Sequence, residues 1–189
     1  MNKVEARRIY REKRQALSKA EKEKLDDLLL IQFQTAELPF LHTVLTYWPI
    51  EENQEPNTHL YTEFLEFRNP ALQLAYPKIN KGMQTMDAVI INEDTAFIKG
   101  QFNVPEPMSD HLALPESIDM VLVPLLICDN KGYRVGYGKG FYDKYLSLCR
   151  KDCIKAGFMY FDPVEVISDK NEFDVPLDLC ITPQQIYVF

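Results

Sequence analysis

The chain has 189 residues, 46% hydrophobic and 26% charged, which is enough for one α/β domain with a substantial core and too apolar for a disordered chain. Its formal net charge of −7 argues against non-specific nucleic-acid binding, so no nucleic-acid partner is expected, but a local phosphate site remains open to it. No stretch approaches the roughly 20 apolar residues of a membrane span, and the charged N-terminus lacks an apolar signal region, so the expectation is a cytoplasmic protein with no membrane association; a monomer is expected.

Residues 2–17 have helical composition with no Gly or Pro, and Lys3, Arg7, Tyr10 and Arg14 share one face at 3.6 residues per turn. A solvated basic face is the plain reading, unless the helix docks on something anionic. Ser18-Lys19-Ala20-Glu21 has the capping-box form and predicts a second helix running on through Leu25, Leu28, Leu29 and Gln32. Thr43–Trp48 predicts a strand stopped by Pro49, and an acidic loop follows from Glu51 to Asn57. Thr58 is a candidate cap for a helix through Phe67. Leu72–Tyr76 predicts a strand ended by Pro77, and Met83–Ile91 an edge or antiparallel strand. Residues 99–117 carry Pro105, Pro107 and Pro115 and predict a long functional loop. Ile118–Val123 is apolar enough for a strand covered on both faces. A loop then leads to Tyr137, a helix is predicted over 141–150, and strands over 154–160 and 179–182. Cys128, Cys149, Cys153 and Cys180 form no Cys-x-x-Cys pair and read as free thiols. Strands alternating with helices, with no linker or repeat, predict a single domain over 1–189. It is expected to be an open, mostly parallel sheet flanked by helices on both faces, a three-layer α/β/α fold whose ligands sit beyond the carboxyl ends of the strands.

The stretch Arg134-Val135-Gly136-Tyr137-Gly138-Lys139-Gly140-Phe141-Tyr142-Asp143 carries most of the chemistry. Glycines at alternate positions leave backbone amides unshielded and tolerate positive φ, so several donors can converge on phosphate oxygens. Lys139 and Arg134 add mobile and planar positive charge, and Asp143 offers a hard oxygen for Mg²⁺. The spacing is neither the P-loop nor the dinucleotide fingerprint. The reading is a nucleoside triphosphate cradle with a metal ligand nearby; the alternative is a plain strand-to-helix turn.

That stretch, preceded by Val123-Pro124 and Asp129, resembles the signature of the 5-formyltetrahydrofolate cyclo-ligase (methenyltetrahydrofolate synthetase) family. The resemblance extends along the chain through Lys3 and Arg7, Glu55-Pro56-Asn57-Thr58, Tyr76-Pro77-Lys78, Phe102–Pro107, and Phe173-Asp174-Val175-Pro176-Leu177-Asp178 with Ile181-Thr182. It implies Mg²⁺-dependent conversion of 5-formyltetrahydrofolate to 5,10-methenyltetrahydrofolate with ATP as co-substrate, releasing ADP and phosphate through phosphorylation of the formyl oxygen and ring closure. It further implies that Gly136, Gly138, Gly140, Phe141 and Tyr142 hold ATP together with Lys3 and Arg7, and that Lys139 and Arg134 act on the transferring phosphoryl group. Asp143 and Asp178 match the metal carboxylates. Ile50, Glu55, Tyr137 and Phe141 match the folate site, with Trp48 and Tyr76 as weaker candidates and Lys78 or Lys81 as attractors of the folate glutamate. Rival readings are a sugar-phosphate isomerase or coenzyme A transferase on a similar fold, and a non-catalytic folate- or nucleotide-binding module.

Overall fold

The computed structural model describes residues 1–80 and 82–189. Helix α1 (Lys3–Gln15) begins where the Asn2 side chain accepts from the Glu5 amide at 2.8 Å, an ordinary N-cap. Ser18 and Glu21 complete the expected capping box, and α2 (Lys19–Gln34) follows. The remaining elements are β1 (Thr43–Leu45), α3 (Thr58–Arg68), β2 (Gln73–Asn80), β3 (Thr85–Ile90), β4 (Phe97–Lys99), β5 (Pro105–Pro107), β6 (Leu112–Ala113), β7 (Met120–Val123), β8 (Ile127–Cys128), β9 (Arg134–Val135), α4 (Phe141–Leu146), β10 (Ile154–Phe158), β11 (Leu179–Ile181) and β12 (Ile186–Val188).

Eight strands form the main sheet in the order β12-β11-β10-β7-β1-β2-β3-β6. The central pairs β2–β1, β1–β7, β7–β10 and β10–β11 are parallel, and antiparallel strands flank them on both sides. Successive side chains of a strand point to opposite faces, which divides the core in two. Leu45, Val121 and Val123 pack with Ala6 and Tyr10 of α1 and Tyr145 and Leu146 of α4. Val44, Met120 and Leu122 pack with Leu29 and Phe33 of α2 and Tyr61 and Leu65 of α3. The fold is the expected three-layer α/β/α arrangement. No helix among the described residues is long and apolar enough to cross a membrane.

Several local expectations are corrected. The cap of α3 is Asn57, whose side chain accepts from the His59 amide; the Thr58 hydroxyl instead donates to the Tyr47 carbonyl at 2.7 Å. Pro77 does not end β2. The β1 ladder stops at Ala75, so the missing Pro77 N–H falls where β2 pairs only with β3, a position a sheet tolerates. The segment 99–117 holds the end of β4, its partner β5, and β6 rather than being wholly irregular. Helix α4 has six residues, not ten: the Leu148 and Cys149 amides turn back to the carbonyls of Tyr145 and Leu146, tightening the last turn. All four cysteines are free.

Candidate active site

The glycine segment is positioned by a small hairpin beyond the carboxyl end of β7. Strands β8 and β9 pair antiparallel. Asp129, fully buried, holds their turn by accepting from the Lys131 amide at 2.9 Å and the Tyr133 amide at 3.1 Å. From Arg134 the chain crosses Gly136–Gly140 into α4. Gly138 and Gly140 take φ of +89° and +73°, the left-handed region that a side chain disfavours. A Cβ on Gly138 would also stand 3.2 Å from the Arg7 guanidinium, whereas one on Gly140 would meet nothing within 4 Å.

Helix α1 does dock on this loop. Arg7 Nε donates to the Gly136 carbonyl at 2.9 Å. The helix start is pinned from the other side, where the Lys3 amide donates to Asp169 at 2.8 Å and Met1 bonds Val166 and Ser168. That fixes Lys3 Nζ against both oxygens of Asp174, at 2.7 and 2.6 Å. Arg134, almost buried, bridges the Val175 carbonyl and Asp143 Oδ1, the latter at 2.9 Å, and the Val175 amide donates to the same Oδ1 at 3.1 Å. Burial lowers the Arg134 pKa, and Asp143 opposes that shift.

These groups enclose a cavity of about 140 Å³ lined by Lys3, Arg7, Arg134, residues 136–143 and Asp174, with Pro124 at its base. It opens into a groove of about 720 Å³ that shares Lys3, Arg7, Gly138, Gly140, Asp143 and Asp174 and extends to Lys144 and Phe173. Among the described residues the cavity lining holds four cations and two carboxylates, an excess of positive charge on a chain of net charge −7. None of the five amides of residues 136–140 donates a hydrogen bond to any described residue. Gly138, Lys139 and Gly140 are exposed, so water can serve their amides, but five successive amides with no partner among the described residues, beside four cations, suit an acceptor-rich anion. With a helix of only six residues behind the loop, the amides and cations, not a helix dipole, supply the field.

Glu55 and Ile50, expected at the folate site, are linked to the loop through Tyr137. Its hydroxyl donates to Glu55 Oε1, and Glu55 Oε2 accepts from the Ile50 amide at 2.7 Å. Glu55 is 3% exposed. Burial pushes its carboxyl above the ordinary range, against the Ile50 and Tyr137 hydrogen bonds and the Arg14 charge. Both oxygens are engaged, so a ligand reaching Glu55 has to displace the Tyr137 hydroxyl. Ile50 lines a separate recess of about 170 Å³ with Trp48, Pro49 and Asn103–Pro105. Phe141 packs on Phe102 with centroids 6.2 Å apart, and Lys139 Nζ lies 5.4 Å from the Phe102 ring. Phe102 and Asn103 both have positive φ, so the 100–104 segment bends over the loop in a strained conformation. Tyr142 lines the cavity, its buried hydroxyl without a partner among the described residues and its pKa raised by burial. Trp48 and Tyr76 pack on Phe97 as part of an aromatic cluster. Lys78 sits in β2 opposite Asp87, and Lys81 lies outside the described residues.

Asp178 does not join Asp143. It immediately precedes β11, at the amino-terminal side of the parallel strands, where its Oδ2 accepts from both the amide and the Nζ of Lys155 at 2.7 Å. The carboxylate that faces the cavity with Asp143 is Asp174, four residues earlier. Both lie in one sequence block, and the block alone does not say which is turned inward. Among the described residues no three His, Cys, Asp or Glu side chains gather to form a metal cage. Asp143 Oδ2 makes no hydrogen bond to a described residue, and Asp174 is held by the Lys3 ammonium at both oxygens and by the Asn171 amide at 2.7 Å. One or two such carboxylates suit Mg²⁺, which takes its other ligands from phosphate and water. Arg14, 1% exposed, is the other residue the sequence did not single out. The only hint was its place on the face of Tyr10.

A family model described as the 5-formyltetrahydrofolate cyclo-ligase family matches residues 2–183. The chain is 32% identical over 188 residues to the 5-formyltetrahydrofolate cyclo-ligase of Mycoplasma pneumoniae, covering 97% of this chain and 100% of that one. It is 27% identical over 184 residues to the protein of the same name from Mycoplasma genitalium, covering 95% and 98%. Among solved structures it resembles the 5,10-methenyltetrahydrofolate synthetase of Aquifex aeolicus, with a TM-score of 0.80, 27% identity and coverage of 100% and 93%. It also resembles that of Mycoplasma pneumoniae, with a TM-score of 0.74, 27% identity and coverage of 96% and 98%.

Proposed function

The chain belongs to the 5-formyltetrahydrofolate cyclo-ligase family, and from that premise we propose that it closes 5-formyltetrahydrofolate to 5,10-methenyltetrahydrofolate at the expense of MgATP. The observation that carries the nucleotide half of this reading is the run of five amides without a partner among the described residues, in a cavity lined by Lys3, Arg7, Arg134 and Lys139.

The chemical obstacle is the formyl oxygen, which is a poor leaving group. In the proposed route that oxygen attacks the γ-phosphorus of ATP and ADP departs. The second folate nitrogen then attacks the activated carbon, loses its proton, and inorganic phosphate leaves with the oxygen. No protein nucleophile is needed; the protein must align two substrates and balance moving charge. The amides of 136–140 would hold the polyphosphate. Lys139, exposed and free to swing, and Arg134, fixed by Asp143 and Val175, would neutralise the transferring group. Lys3 and Arg7 would close from α1, Lys3 exchanging Asp174 for phosphate. Asp143 and Asp174 would hold magnesium, which would supply positive charge to offset that of the phosphate groups. On the folate side the pterin edge, rich in donors, would take Glu55 Oε1 from Tyr137, with Ile50 and Phe141 as apolar walls. The protein would act as a cytoplasmic monomer.

The test is a spectrophotometric assay for the methenyl product with 5-formyltetrahydrofolate, with and without MgATP. Product that needs both ATP and Mg²⁺ is the expected result. Binding without turnover would leave a binding module, and ATP-independent chemistry would point to another reaction on the same fold.

A further inference from the structure

Arg14 stands apart on its own helix. Arg8, Arg11 and Lys13 are exposed, yet the Arg14 guanidinium is buried. Its Nη2 donates to the Leu125 carbonyl and its Nη1 to the Tyr137 hydroxyl at 3.3 Å, while its buried Nε has no hydrogen-bond partner among the described residues. An arginine cannot shed its charge on burial, so it needs a counter-charge, and Glu55 lies one hydroxyl away through Tyr137. Accepting from Arg14 leaves the Tyr137 hydroxyl to donate, and it donates to Glu55 Oε1. One chain of hydrogen bonds thus ties α1 to the loop after Pro124, to the glycine loop and to the wall at Ile50.

We propose that Arg14 is a positioning residue for the ligase reaction: it orients Tyr137 and keeps buried Glu55 charged, so that the folate wall presents a carboxylate to a donor-rich pterin edge. The inference rests on the function proposed above. Its physical basis is that an isolated buried carboxylate takes up a proton, and a carboxylic acid is a poor partner for a ring edge made of donors. The other groups facing Glu55 are Lys22 from α2, Tyr47 beyond β1, and Tyr137 and Tyr142 from the glycine loop and α4. Lys22 is already paired with Asp26 at 2.6 Å, and the tyrosines carry no positive charge.

The test is a double-mutant cycle with Arg14→Met, Glu55→Gln and the double variant, plus Arg14→Lys. Binding of 5-formyltetrahydrofolate and, separately, of ATP is followed by the fluorescence of Trp48, the single tryptophan, and folding by thermal melting. Arg14→Met is expected to weaken folate binding about tenfold or more at neutral pH and ATP binding by less than about twofold. The folate loss should be larger at about pH 6 than at about pH 9, because without Arg14 the Glu55 carboxyl holds its proton to higher pH. In the Glu55→Gln background the same change should add less than about twofold, and Arg14→Lys should recover part of the affinity. An equal loss in both backgrounds, a loss independent of pH, or equal weakening of ATP would overturn the proposal and leave Arg14 a purely structural residue. If Arg14→Met does not fold, the double variant, which removes both buried charges, and Arg14→Lys carry the same comparison. Should the wild type make no methenyl product, the functional reading fails by itself, while coupling between Arg14 and Glu55 in the melting data still reports on the network.

Discussion

Four aspartates sit at the two ends of the parallel strands, and they are used in opposite ways. At the strand starts, Asp119 Oδ2 accepts from the His42 and Thr43 amides at 2.7 and 2.9 Å and its Oδ1 takes Arg150 at 2.9 Å. Asp178 likewise binds the amide and side chain of Lys155. Both are tied to backbone donors that begin a strand, and those donors have no better partner. At the other end, Asp143 and Asp174 also accept from backbone amides, those of Val175 and Asn171, but their charged partners are Arg134 and Lys3, cations of the cavity itself. A phosphate and a metal could take over both halves of each pair. The difference teaches how to tell a carboxylate that completes a fold from one kept for a ligand. The side chain's own exposure does not decide it, since Asp178 is more exposed than Asp143 (45% against 27%). What decides it is whether its partners are exchangeable.

The largest effect should come from breaking the pair that belongs to both worlds. Arg134→Met removes the bridge between Asp143 and Val175 from a nearly buried position. Activity is expected to fall by about 10²–10³, and stability by roughly 3 kcal/mol in denaturant titration. An active, equally stable variant would mean that Arg134 neither supports the loop nor meets phosphate.

Next in size, Asp174→Asn and Asp143→Asn should each raise the Mg²⁺ concentration needed for half-maximal rate by about tenfold while leaving the fold intact by circular dichroism. Should only Asp143→Asn do so, Asp174 would belong with the strand-start carboxylates and Lys3 would be a structural partner.

The sequence made some of this contrast readable and hid the rest. Ser18-Lys19-Ala20-Glu21 located a helix start because capping is local. The apolar run 118–123 marked a central strand because both its faces are covered. The glycine segment announced an anion site because exposed amides follow from residue type. By contrast, choosing Asp174 over Asp178 depends on how 174–178 runs along the β8–β9 hairpin, from Val175 on Arg134 to Leu177 on Gly132. The end of α4 at Leu146, the passage of β2 through Pro77 and the burial of Arg14 are likewise decided by neighbours distant in the chain. A basic helix face looks the same in sequence whether one arginine meets water or a buried carboxylate.

A smaller effect is expected at Asp119. Burial alone would raise its pKa, but Arg150 and the two amides outweigh that and hold the carboxyl below the usual range. Its folded pKa is depressed, so its contribution is present above the unfolded value near about 4 and is lost as pH falls through the folded value. Asp119→Asn should therefore cost about 1–3 kcal/mol at neutral pH. The gap to wild type in melting temperature should close in acid, with the Mg²⁺ requirement unmoved.

The smallest effect should be that of Asp178→Asn, and it is the sharpest check on the comparison because the family resemblance assigned that residue to the metal. Its side chain is 45% exposed and its lysine partner is its near neighbour across β10 and β11, so screening leaves the pair only about 0–1 kcal/mol. The amide side chain can still accept from the Lys155 backbone. Stability should shift slightly, and the half-saturating Mg²⁺ should stay within about twofold of wild type, under conditions where Asp143→Asn moves it about tenfold. A Mg²⁺ requirement raised as much by Asp178→Asn as by Asp143→Asn would require the 174–178 segment to turn over on ligand binding, bringing the strand-start carboxylate to the cavity and sending Asp174 away.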